Sequence, residues 1–142
     1  LREKQDIERL QDQFDFNKPL IKNVIEALND VVQRNEADPA IIRLFTVLVS
    51  ESLRADHPSH DFFVNRYSQV RTQFNELLKG LINENQIRSD NDVEQISILI
   101  IAMMDGLQIQ WLLEPQAINM SKSFQYFLDI LSQHISHKNR NQ

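Results

Sequence analysis

His57, Pro58, Ser59, His60 and Asp61 place two imidazoles and a carboxylate within five residues. Two imidazoles could begin a metal site. A zinc site, however, needs at least three protein ligands, and the chain has no cysteine to supply another. The same stretch also reads as the start of a helix. Pro58 falls early, Ser59 offers a cap, and Asp61 sits in the first turn, where a carboxylate suits the helix dipole. His134 and His137, three apart near the other end of the chain, make a still weaker ligand pair. A di-iron carboxylate bundle requires Glu-x-x-His pairs, and no glutamate stands three residues before a histidine. Neither a G-x-S-x-G nucleophile elbow nor a glycine-rich phosphate loop occurs. The expectation is therefore no catalytic residues, no metal and no cofactor.

A second kind of chemistry is apolar. Phe45, Phe62, Phe63, Tyr67, Phe74, Met103, Met104 and Trp111 could line an adaptable pocket, since sulfur and aromatic rings accommodate varied ligands. Each of them, taken singly, also reads as core. Polar groups interrupt the same faces: Glu51, Arg66, Arg71 and Gln108. A buried polar group needs a partner. Either a ligand provides it, or Arg66 or Arg71 pairs internally with Glu51.

The elements that must position these residues read as helices. Among 142 residues, 42% are hydrophobic and 25% charged, enough for one domain with a real core. Only two are glycine and four proline, which leaves little material for hairpins or phosphate loops. The net charge of −5 argues against a grip on nucleic acid by this chain. The longest unbroken apolar run, Ile98 to Met104, is too short to span a bilayer, and no basic-then-apolar leader opens the chain.

Residues 1–14 carry a narrow apolar stripe of Ile7, Leu10 and Phe14, a connector helix ahead of a domain over 15–142. Asn17 and Pro19 signal the next helix, which carries Leu20, Val24, Leu28 and Val31 and ends near Asn35. Asp38-Pro39 starts a third, running to about Arg54 with Ile41, Leu44, Phe45, Leu48 and Val49 on its stripe. The longest runs from about 60 to 85. A capping-box pattern of Asp92 and Gln95 opens another over about 93–113, and a last one covers about 120–136. The tail from His137 onward is expected to fray.

The helix over about 93–113 has no fully polar side. One face holds Val93, Ile96, Ile100, Met103, Met104, Leu107 and Trp111. The opposite face holds Ile98, Leu99, Ala102, Gly106, Ile109 and Leu113. Such a helix is either wrapped by its own domain or shared with a partner. Ala102 and Gly106, one turn apart, are the smallest residues on their face and would let another backbone approach closely. That backbone belongs either to a second copy or to a neighbouring helix of the same chain; the reading preferred here is a dimer. Asp105 falls between the two faces, within reach of solvent, a backbone donor or an arginine.

Three segments carry a resemblance. RLFTVLVSESLRADHPSHDFFVNRYSQVRTQF (43–74), IRSDND (87–92) and MDGLQIQWLLEP (104–115), in that order, resemble the C-terminal half of TetR-family transcriptional regulators. LREKQD at the start resembles the helix that follows the family's helix-turn-helix. The resemblance implies an all-α bundle of about six helices, whose last two long helices pair with their copies as a dimeric four-helix bundle. It also implies a cytoplasmic homodimer and a small-molecule effector, with ligand binding that shifts the spacing of two DNA-reading heads. Operator DNA would then be reached only through an N-terminal head, which is expected to be missing before Leu1. Where the family often has glycine before the "IR" pair, this chain has Asn85-Gln86, and asparagine tolerates the left-handed turn.

On this reading the domain serves a repressor released by a small apolar or amphipathic ligand. The expected dimer seam is Ala102, Gly106, Ile109, Phe124, Phe127 and Leu131. The expected pocket is Phe45, Phe63, Tyr67, Met104, Gln108 and Trp111. The rival readings are a helical adaptor that binds a partner helix and no small molecule, and an unusual helical enzyme.

Overall fold

A computed structural model describes residues 20–137. The described residues form five helices: α1 (Ile21–Glu36), α2 (Pro39–Glu51), α3 (His60–Asn83), α4 (Val93–Leu113) and α5 (Met120–Ile135). The all-helical class is as the sequence predicts, with five helices rather than about six. The connector expected over 1–14, the Asn17–Pro19 start signal and the tail beyond His137 lie outside the described residues.

Helix ends follow their sequence signals unevenly. At α4, Asp92 accepts a hydrogen bond from the Gln95 N–H at 3.3 Å, half of the expected capping box. Asn119 caps α5 through the Lys122 N–H at 3.1 Å. Asp38 and Ser59 occupy cap positions without making the side-chain cap bond. After α3 the chain turns left-handed at Asn85, whose φ is 56°. The Gln86 N–H then reaches the Leu81 carbonyl and the Asn85 N–H the Ile82 carbonyl, a Schellman pair that satisfies the helix end. Asparagine thus supplies the left-handed residue that ends the helix.

α1 buries Val24, Ala27, Leu28, Val31 and Val32, a stripe at helical spacing, and packs chiefly on α5. α3 packs on α4, and α4 also touches α2 and α5. The core between them centres on Leu81, Ile87, Met120 and Phe124, all essentially inaccessible. Side chains of this size contribute roughly 1.5–3 kcal/mol each when fully buried. Polar ties fix the layers. Glu36, at the end of α1, accepts the Ser121 N–H at 2.7 Å and so supports the start of α5. At the other end of α5, the Ile135 carbonyl accepts the Arg88 N–H at 2.9 Å and Asn91 Nδ2 at 2.8 Å.

α2 departs from the expected stripe. Ile42 is its only buried residue, while Ile41, Leu44, Val47 and Leu48 point outward. The helix is apolar on more sides than one, so spacing alone does not say which side meets the core. α4 needs a similar correction. Among the described residues it is the one helix long and apolar enough to cross a membrane, which its longest unbroken apolar run understates. It packs here against three other helices and carries a hydrogen-bonded carboxylate at Asp105.

Candidate functional site

The α3–α4 pair is held in one antiparallel register by two polar contacts. The Asn75 amide nitrogen meets Ser97 Oγ at 2.6 Å, leaving the serine hydroxyl to donate to the Val93 carbonyl at 2.9 Å. Further along, the Tyr67 hydroxyl donates to Asp105 Oδ2 at 2.8 Å. The shared register brings Phe63, one turn before Tyr67, level with the turn that holds Gln108 and Ile109.

Asp105 therefore has a partner that the sequence did not indicate. It faces inward, toward α3, and takes a phenol rather than an arginine. Burial raises its carboxyl above the ordinary carboxylate range, and the bond from Tyr67 partly offsets this. The Tyr67 hydroxyl is also raised, chiefly by burial and then by the charge of Asp105 beside it. Burial lowers Arg66, with Tyr67 acting in the opposite sense. Glu51, considered for an internal ion pair, lies exposed at the end of α2.

The six residues expected to line a pocket differ in exposure. Phe63, Gln108 and Trp111 are buried; Phe45, Tyr67 and Met104 are half-buried. Phe63 sits outside the main core in an aromatic group of its own. Its ring meets Phe45 edge-on at 5.7 Å and Phe62 edge-on at 5.1 Å. Tyr67, Met104 and Trp111 belong to the main core cluster. Tyr67, one turn from Phe63, thus joins the two groups.

The two histidines of the α2–α3 turn have structural partners. His57 Nδ1 accepts the Ser59 N–H at 3.1 Å, and His60 Nδ1 lies 2.9 Å from the Ser52 carbonyl, to which it donates. Each ring thus has one nitrogen occupied in stapling the turn, which agrees with the helix-start reading. Among the described residues no cluster of histidine, aspartate and glutamate has the makings of a metal site.

The expected seam residues divide. On α4, Ala102 and Ile109 are exposed and Gly106 is half-buried, alongside exposed Ile98, Leu99 and Leu113. A Cβ added at Gly106 would meet nothing within 4 Å, so no neighbouring helix of the protomer calls for glycine there. On α5 one of the three expected seam residues requires correction. Phe124 is 0% exposed and lies in the protomer's own core, against Phe127 at 6.0 Å between ring centres. Phe127 and Leu131 are half-buried on the same inward side. The outward apolar residues of α5 are Tyr126 and Ile130, one turn apart. The dominant stripe of α5 is the one that its own protomer uses; the signal for the outer face is the weaker Tyr126–Ile130 pair.

The described residues form an all-α domain whose penultimate helix, α4, leaves an apolar face uncovered. Residues 22–135 match the family model described as the C-terminal domain of BetI-type transcriptional repressors. The chain belongs to that family. No curated protein matches the chain, and no solved structure does either.

Proposed function

We propose that this domain dimerises through the outward face of α4, with Tyr126 and Ile130 of α5 beside it. A small apolar or amphipathic effector would be held among Phe45, Phe63, Tyr67, Met104, Gln108 and Trp111. The intact regulator, a repressor released by that effector, touches operator DNA through a separate reading head, and this domain performs no catalysis. The observation that carries the reading is the α4 face. Ile98, Leu99, Ala102, Ile109 and Leu113 form an exposed apolar strip around a glycine with open space above it. Exposed apolar strips of this kind mark interaction surfaces, and small residues at their centre allow close helix approach. An effector can shift such a dimer only by binding one geometry better than the other.

Sedimentation equilibrium of the purified chain tests it, with Gly106→Leu beside the unaltered protein. The expected result is a dimer at micromolar concentration that Gly106→Leu weakens at least tenfold. The protomer should stay folded, because the added side chain starts in open space. A monomer throughout would refute the reading in favour of an adaptor domain, and a Gly106→Leu variant with undiminished dimerisation would place the seam elsewhere.

A further inference from the structure

The fold treats the chain's three methionines differently. Met120 is essentially inaccessible at the centre of the core. Met104 is half-buried and packs against the main core cluster. Met103 is 36% exposed, and it is neither in that cluster nor among the side chains packed on it. It stands four residues after Leu99 and three before Gly106, so helical spacing puts all three on one side of α4. Its thioether therefore belongs to the uncovered apolar strip. The unbranched side chain and polarisable sulfur of methionine suit a surface that must adapt to a partner. The rest of the strip, Ile98, Leu99, Ala102, Gly106, Ile109 and Leu113, carries only hydrocarbon or hydrogen and has no redox chemistry. Met103 alone can gain a polar atom there.

We propose that Met103 is an oxidation site through which peroxides weaken the dimer, a regulation that rests on the α4 seam proposed above. The sulfur lone pair attacks one oxygen of hydrogen peroxide, the O–O bond breaks, and water leaves. Sulfur gives up two electrons, the peroxide takes them, and the product is methionine sulfoxide. The oxidised side chain is polar and sits among hydrocarbon neighbours. Burying such a group without a hydrogen-bond partner opposes association. A two-fold seam carries the change twice, once from each copy. Dimerisation in turn covers the thioether, so the reaction proceeds through the monomer. Oxidation and dimerisation therefore oppose each other by mass action.

The test treats the full chain with hydrogen peroxide at protein concentrations below and above the dimer dissociation constant. Tandem mass spectrometry locates the added oxygen, and sedimentation equilibrium reads the dimer. Met103 should be oxidised ahead of Met104 and Met120, and more slowly at the higher protein concentration. The oxidised chain should dimerise about tenfold or more weakly. Met103→Gln, which places a permanent polar group on the strip, should weaken the untreated dimer in the same direction. Met103→Leu, compared with itself before and after peroxide, should show one dissociation constant. Oxidation at Met104 or Met120 first, or a dimer as tight after Met103 oxidation as before, overturns the assignment. So does a Met103→Leu variant whose dimer peroxide still weakens. An untreated chain that is monomeric at every concentration is the separate failure of the dimer reading, and this inference falls with it.

Discussion

Tyr67→Phe removes one hydroxyl and keeps the ring, so it isolates the bond between α3 and α4 without opening a cavity. The lost interaction is a 2.8 Å hydrogen bond to a carboxylate. Hydrogen bonds to charged groups contribute about 1.5–3 kcal/mol. Asp105 is only partly buried, so water can replace some of this, and a loss of about 1–2 kcal/mol is expected at pH 7. For a chain of this size that corresponds to roughly 3–8 °C in Tm. The pH dependence follows from direction. The Tyr67 bond holds the Asp105 carboxyl lower than burial alone would, so its contribution is present while Asp105 is ionised. That contribution is lost as pH falls through the Asp105 titration, which burial places above the ordinary carboxylate value. Urea unfolding of both proteins at pH 7 and near pH 4, at one fixed protein concentration, measures the difference. A deficit at pH 7 that shrinks in acid agrees with the reasoning. A variant as stable as the parent at pH 7, or one with the same deficit at both pH values, refutes it.

Asp105→Asn keeps an acceptor for Tyr67 and removes the buried charge. The native carboxyl titrates above its unfolded value, so its stabilising contribution is complete in acid and is lost as pH rises through the raised value. The variant should therefore match or exceed the parent at pH 7 and lose ground against it in acid, as read by urea unfolding. Glu36→Ala removes the acceptor for the Ser121 N–H and should cost about 1 kcal/mol, seen in thermal unfolding. Asn85→Gly relieves a left-handed residue and should gain up to about 1 kcal/mol, whereas Asn85→Ala should lose a similar amount.

Much of the architecture was legible because helix periodicity survives in a single sequence. The α1 stripe and the α4 cap at Asp92 follow directly from spacing and side-chain chemistry. So does the Asn85 turn, since few residues other than glycine tolerate that φ. The failures share one cause. α2, α4 and α5 are apolar on more than one side, and periodicity ranks faces without saying which one the protomer covers. Phe124 is expected at the seam because the resemblance implies that the last helix pairs with its copy, yet its size and its place on the dominant stripe make it the centre of the core. Tyr126 and Ile130, a weaker stripe, are what the protomer leaves exposed. Asp105 was ambiguous for another reason: its partner lies 38 residues away on another helix, and no local pattern encodes that distance.

The absence of cysteine makes the central claim directly measurable. Ala102→Cys introduces a single thiol of little added bulk on the exposed α4 face, one turn from Gly106. If α4 packs against its copy at this face, mild oxidation should link the two protomers through this thiol, giving a dimer on a non-reducing gel. A chain that stays monomeric on that gel would contradict a seam built on Ala102 and Gly106.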